Sequence, residues 1–114
     1  MDQSDKMIVI YTTFSSEEDA RRIGRLIIEE RVAACVNIFG GMRSIYHWQG
    51  QVEESDETAM IVKTRKSLKA EALELISANH PYSVPALIVL EPDHVAASYE
   101  AWLKEATHKN NAST

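Results

Sequence analysis

The chain has 114 residues, of which 45% are apolar and 25% are charged, and this composition predicts one compact globular domain. Its formal net charge of −5 argues against nucleic acid as a partner, because binding to phosphates needs a basic face. One cysteine cannot form an internal disulfide, the polar first residues lack the apolar segment of a signal peptide, and no apolar run approaches the ~20 residues that span a bilayer. The prediction is a cytoplasmic protein that has neither nucleic acid nor a membrane as its partner.

The first part of the chain predicts a buried strand followed by an amphipathic helix. Residues 7–13 form an almost continuous apolar and β-branched run, which is typical of a central strand. Residues 15–18, Ser-Ser-Glu-Glu, match a capping box at the start of a helix. Behind the cap, apolar residues recur at helical spacing, and this stripe comprises Ala20, Ile23, Gly24, Ile27 and Ile28.

The segment from Arg31 to Thr64 predicts one long β-hairpin, in which the first arm reaches Trp48 and Gln49-Gly50 makes the tip. Gly40-Gly41 predicts a β-bulge that bends the first arm. Strands in small domains usually have ~5–6 residues, so arms this long overhang their sheet. Unpaired strand edges must be covered or must pair with another chain. We therefore predict an oligomer that assembles through this hairpin.

The second half predicts two helices and one short strand. Ser67 opens a helix that Pro81 stops, because proline lacks an N–H and restricts the residue before it. Five residues share one face of that helix: Leu68, Ala72, Leu75, Ile76 and Asn79. Residues 86–90 predict a strand that Pro92 ends, and a last helix carries Tyr99, Trp102, Leu103 and Ala106.

The order of these elements predicts an α+β fold, the ferredoxin-like βαββαβ arrangement. This fold is an antiparallel sheet with helices on one face, here with a long β2–β3 hairpin and a C-terminal helix. Residues 1–114 form a single domain in this prediction. Its ordered core covers about residues 6–106, and residues 107–114 form a polar tail.

Cys35 and His80 are the candidates for metal binding. A thiolate suits Cu(I), whereas an imidazole suits Cu(II) or zinc. Cys35 is alternatively a small buried hydrophobe, or a nucleophile with His80 as its base. His80 is equally interpreted as a helix stop whose imidazole caps the last carbonyls. Because no phosphate loop, Ser/His/Asp set or zinc spacing occurs, we predict that the protein is not an enzyme.

The hairpin carries two further features. Tyr46 and Trp48 share one face near the tip while His47 takes the other, and an aromatic pair there indicates an interface anchor. The densest acidic run on the return arm comprises Glu53, Glu54, Asp56 and Glu57. Clustered carboxylates hold hard divalent cations, but the spacing matches no EF-hand and a solvated face is the ordinary interpretation.

Several motifs in one register resemble the CutA divalent-cation tolerance proteins. They are residues 33–37 (Ala-Ala-Cys-Val-Asn), 44–50 (Ser-Ile-Tyr-His-Trp-Gln-Gly), 63–64 (Lys-Thr) and 80–85 (His-Pro-Tyr-Ser-Val-Pro). The similarity spans Ile8 to about Trp102. It implies a ferredoxin-like homotrimer whose hairpins cross between subunits, with a role linked to copper or other divalent cations. It also implies a cleft near the subunit junction, lined by Tyr46, Trp48, Glu57, Lys63 and Tyr82.

The chain departs from that family in its proposed copper ligands. Some members carry a cysteine in the first strand and a histidine pair before the proline. The matching positions here are Thr12 and Asn79, so only His80 of that set remains. Residues 85–86 read Pro-Ala where Pro-Glu is usual, and the loop at residues 93–97 is shortened. The sequence thus leaves two functions open: tolerance through weak metal binding, or a small-molecule sensor or signalling scaffold with ligands in intersubunit clefts.

Overall fold

The computed structural model describes residues 5–109. Residues 110–114, which belong to the predicted polar tail, lie outside this range. The strands are β1 (Met7–Phe14), β2 (Cys35–Trp48), β3 (Gln51–Arg65) and β4 (Ile88–Leu90). The helices are α1 (Glu17–Glu29), α2 (Lys69–Asn79) and α3 (Ala97–Ala106), and a 3₁₀ turn covers Lys66–Leu68. Among the described residues, no helix is long and apolar enough to cross a bilayer.

The four strands form one antiparallel sheet in the order β2-β3-β1-β4. This element order and this sheet confirm the predicted α+β, ferredoxin-like βαββαβ fold. The buried core lies between the sheet and the helices, and its largest members comprise Ile8, Ile10, Phe14, Ile23, Ile27, Met60, Val62 and Ile76. Side chains alternate along each strand, so the residues between these point to the other side of the sheet.

That other side, which we call the open face, is apolar and largely uncovered. It comprises Val9, Tyr11, Phe39, Ile61, Ile88 and Leu90, which the strand register places in adjacent rows. Phe39 is 52% exposed and Leu90 is 54% exposed. Helix α3 covers only one end of this face, where Glu100 accepts a hydrogen bond from the Met7 amide.

Helix α1 begins one residue later than the capping box of Ser15 and Glu18 predicts. Ser16 is the N-cap, and its hydroxyl accepts a hydrogen bond from the Asp19 amide at 3.1 Å. Such a cap stabilises a helix by ~1 kcal/mol. Ala20, Ile23, Gly24 and Ile27 of the predicted stripe are buried, which fixes α1 on the sheet.

The hairpin is longer than any other element pair, with 14 residues in β2 and 15 in β3. The predicted bulge is confirmed, because the register shifts between Phe39 and Met42 and Gly41 adopts a φ of 75°. The tip is a two-residue turn in which Gln49 and Gly50 both have positive φ, as hairpin turns require.

Beyond the end of β1, the two arms pair only with each other. Phe14 is the last β1 residue and pairs with Thr58. The part of β3 between the hairpin tip and Glu57 therefore has β2 as its only neighbouring strand. We call residues 42–57 the overhang. It explains a radius of gyration of 15.2 Å, compared with about 13 Å for a compact chain of this length.

Three local expectations differ from the structure. Ser67 lies in the 3₁₀ turn, and α2 starts at Lys69 without a side-chain cap. The last strand is shorter than predicted, because β4 pairs with β1 only from Ile88 to Leu90. Thr107 was predicted in the polar tail, yet it is buried, since its hydroxyl accepts a hydrogen bond from Arg65 Nε and donates to the Leu103 carbonyl.

Candidate functional site

A pocket of about 450 Å³ lies at the root of the overhang. We call it the Glu57 pocket, and its lining comprises Thr13, Tyr46, Trp48, Glu57, Tyr82, Ser83, Val84 and Ala86. These residues come from β1, β2, β3 and the loop between α2 and β4. A volume of this size is in the range of small-molecule sites.

The bulge places the aromatic pair in this pocket. Before the bulge Phe39 pairs with Ala59, whereas after it Met42 pairs with Glu57, so β2 gains one residue relative to β3. One residue exchanges the two faces of a strand. Tyr46 and Trp48 therefore share the side of Glu57, and His47 lies on the opposite side, as predicted.

Glu57 is held by hydroxyl donors on both carboxylate oxygens. Ser44 Oγ donates to Oε1 at 2.6 Å, and Tyr82 Oη donates to Oε2 at 2.7 Å. Burial, and then the hydrogen bond to Glu57, raise the pKa of Tyr82 well above its ordinary value. The phenol therefore stays protonated and acts as a donor that orients the carboxylate.

His80 lies behind the pocket and is 9% exposed. Its ring stacks on Phe14 with centroids 4.4 Å apart, and it contacts Tyr82 in a tilted arrangement at 4.9 Å. The Tyr82 amide donates to Nδ1 at 3.1 Å, and Nε2 lies 2.9 Å from the Thr13 carbonyl. A carbonyl only accepts, so Nε2 carries the proton and the imidazole is the neutral Nε2–H tautomer.

This arrangement uses both ring nitrogens of His80. Nε2 is a donor, and the lone pair of Nδ1 accepts the Tyr82 amide. Burial lowers the pKa of His80 from its ordinary value of 6.5, although the bond to Thr13 opposes that shift. A metal at His80 would need one of these nitrogens to give up its hydrogen bond.

The positions that the resemblance matches to proposed copper ligands do not form a copper site here. Thr12 Oγ1 lies 3.3 Å from His80 Nε2, but a hydroxyl is not the soft ligand that a thiolate at this position would be. Asn79 turns away and donates to the Leu75 carbonyl. Within residues 5–109, no group of three His, Cys, Asp or Glu side chains could hold a metal ion.

Cys35 and Lys63 lie at the opposite end of the sheet from His80. Cys35 pairs with Lys63, which pairs with Val9, whereas His80 contacts Thr12 and Thr13. Three to four residues along a strand correspond to ~10–13 Å. Within one chain, Cys35 and His80 therefore form neither a shared metal site nor a nucleophile–base pair. Lys63 Nζ lies 5.6 Å from the Tyr99 ring centroid and does not line the Glu57 pocket.

The acidic run divides between two surroundings. Glu54 and Asp56 lie 3.6 and 3.2 Å from the Arg43 guanidinium on exposed surface, where an ion pair contributes little. Glu57 alone of the run lines the pocket.

The structure adds residues that the sequence analysis missed. Ser44 holds Glu57, Thr13 and Ala86 line the pocket, and Phe14 supports His80. The signal for Ser44 was its spacing two residues before Tyr46, which places both on one face of a strand.

The comparisons with known proteins agree with this fold. The model of the family described as CutA1 divalent ion tolerance protein matches residues 8–106. The chain belongs to the CutA1 family. This confirms the resemblance that the motifs indicated.

CutA relatives cover most of the chain. The divalent-cation tolerance protein CutA of Pyrococcus horikoshii is 42% identical over 103 residues, covering 90% of this chain and 100% of the relative. Protein CutA, chloroplastic, of Arabidopsis thaliana is 39% identical over 94% of this chain, which spans 60% of that protein's length. The structure of CutA1 from Ehrlichia chaffeensis has a TM-score of 0.89 at 34% identity, covering 91% of this chain and 97% of that chain.

Proposed function

We propose that this chain acts in divalent-cation tolerance as a homotrimer that assembles through its hairpin and binds a small ligand in the Glu57 pocket. Family membership supports the tolerance role. The convergence of Tyr46, Trp48, Glu57 and Tyr82 on one pocket, from three separate segments, carries the ligand-binding part. A cytoplasmic setting belongs to the proposal, since one cysteine forms no internal disulfide.

Two surfaces support assembly. The overhang is a two-stranded ribbon, and such a ribbon is marginally stable in water without further contacts. It carries exposed apolar side chains, including Ile45 and Val52. The open face is a second apolar surface, which a neighbouring copy would remove from water. Because Tyr46 and Trp48 belong to the overhang, a neighbour that packs there would also border the pocket.

A thermal-shift screen of metabolites on the full chain tests the ligand part. A compound that binds the native state raises the unfolding temperature by mass action. We expect at least one compound to stabilise the wild type, and to stabilise Trp48→Ala less. Trp102→Ala is the matched control, because Trp102 is also half-exposed but lies outside the pocket. No stabilisation of the wild type by any compound would contradict the proposal, and equal shifts in both variants would exclude this pocket.

Direct but weak binding of copper or another divalent cation is a second candidate, which the name of the family favours. A closed metal site does not fit the described residues. Glu57 offers carboxylate oxygens, whereas His80 would first have to lose a hydrogen bond.

Calorimetric titration with Cu(II) tests this candidate on the wild type, Glu57→Gln and His80→Ala. Because both nitrogens of His80 are occupied, we expect any heat of binding to fall more in Glu57→Gln than in His80→Ala. A loss confined to His80→Ala would show that the imidazole is a ligand after all. Identical isotherms for the three proteins would remove both residues from the metal site.

A further inference from the structure

The charge of the Glu57 pocket indicates which class of ligand it takes. Of the eight residues that line it, Glu57 is the only charged one and none is basic. Lys63, which the family resemblance assigns to the cleft, lies beside Tyr99 within one chain. Within one chain the lining therefore presents one negative charge without a compensating cation.

The surroundings of that charge are aromatic. Tyr46, Trp48 and Tyr82 line the same pocket, and 48% of Trp48 remains exposed. The faces of aromatic rings attract organic cations, with tryptophan the strongest of the three types. A carboxylate among aromatic rings is the combination that recognises quaternary and alkylated ammonium groups.

The carboxylate is also oriented and can still accept. Ser44 and Tyr82 each donate to one oxygen, which fixes the direction of the group. Each oxygen keeps a second lone pair, since an ionised carboxylate has about four acceptor sites. Glu57 can thus meet a cation without rearranging.

We propose that the ligand of the Glu57 pocket is a small organic cation of the ammonium type, held between the Glu57 carboxylate and the rings of Tyr46, Trp48 and Tyr82. This inference rests on the proposed function, because it assigns a ligand class to the proposed site.

The other classes fit less well. An anion would meet Glu57 with no basic residue in the lining that one chain supplies to offset the repulsion. A neutral apolar molecule would desolvate the carboxylate without pairing it, which costs free energy. A bare divalent metal would find one carboxylate where it needs several oxygen ligands.

Two probes of the same shape separate charge from size. Choline carries a trimethylammonium group, and 3,3-dimethyl-1-butanol is its neutral carbon analogue. In a Trp102→Phe background, Trp48 is the single tryptophan of the chain, so its fluorescence reports on the pocket. We expect choline to shift this fluorescence with at least about tenfold higher affinity than the neutral analogue.

Glu57→Gln and Glu54→Gln form a matched pair of variants. Both remove one negative charge from β3, but Glu54 faces Arg43 outside the pocket. Glu57→Gln should weaken choline binding by about tenfold, and Glu54→Gln should change it by less than about twofold. Circular dichroism melts confirm that each variant is folded. Trp48→Leu, at a half-exposed position, removes the fluorescent reporter, so its expected loss of choline affinity is measured by calorimetric titration against the wild type.

The outcomes distinguish the ligand class from the ligand site. Equal affinity for both probes, or equal effects of the two glutamine variants, would overturn the cation assignment. If neutral or anionic metabolites stabilise the protein through Trp48 while choline and tetramethylammonium do not bind, the class is wrong and the proposed site stands. If no compound of any class binds, both proposals fall.

Discussion

Replacing His80 by alanine should lower the free energy of unfolding by ~2–4 kcal/mol. The substitution removes a buried ring that stacks on Phe14 and leaves the Tyr82 amide and the Thr13 carbonyl without their partner. Buried polar groups without a hydrogen bond cost ~1–3 kcal/mol each. Urea denaturation at one fixed protein concentration measures the change, since the stability of an oligomer depends on concentration.

His47→Ala is the control for this substitution, because His47 is exposed on the overhang and should change stability by no more than ~0.5 kcal/mol. The two histidine variants would have equal stability if the side chain of His80 made no stabilising buried contact. A loss below ~1 kcal/mol in His80→Ala would likewise contradict the structural role that its contacts indicate.

The same contacts make the free energy of unfolding depend on pH through His80. Burial holds its pKa in the folded state below 6.5, the value that we assign to the unfolded chain. As the pH falls through 6.5, the unfolded chain binds a proton that the folded chain does not, so stability falls. This site contributes a slope of at most ~1.4 kcal/mol per pH unit. The wild type should therefore lose more stability between pH 7 and 5 than His80→Ala does.

The positions of the helices and strands follow from the sequence because hydrophobic spacing reports burial directly. Ile8 and Ile10 of the first strand and four of the five stripe residues of α1 are buried where the pattern predicts. Val9 and Tyr11 are only half-buried, because they lie on the open face of the sheet. Pro81 ends α2 because the proline ring leaves no backbone N–H to continue the helix, and no tertiary contact can supply one. The prediction of a polar tail from Thr107 is wrong for Thr107 itself, because its burial depends on a contact with Arg65, 42 residues earlier, that local composition does not indicate.

The site was only partly predictable from the sequence. The pairing register of β2 and β3, which residue spacing does not determine, brings its residues together. The two-residue spacing places Tyr46 and Trp48 on one face, but only the bulge at Gly41 decides that this is the face of Glu57. His80 looked like a ligand in the sequence, since the neighbours that occupy its nitrogens are 67 residues earlier and two residues later. The resemblance named Lys63 for the cleft, whereas within one chain that side chain lies beside Tyr99.

The double substitution Phe39→Glu/Ile88→Glu should convert the proposed homotrimer into single chains. Both residues lie on the open face, and Ile88 is 48% exposed in one chain. Burying two carboxylates in each contact without partners costs several kcal/mol, which exceeds what a small apolar interface can offset. In sedimentation, the wild type should have the mass of three 12.8 kDa chains and the variant that of one, folded or unfolded.

Ala70→Glu/Ser77→Glu is the matched control, because it adds the same two charges to exposed positions of α2 on the helix side of the sheet. It should keep the mass of the wild type. If Phe39→Glu/Ile88→Glu stays trimeric, the copies contact each other through a surface other than the open face. A wild type that sediments as a folded single chain would remove the neighbour that we propose at the overhang, and the pocket would then have to bind its ligand with the residues of one chain alone.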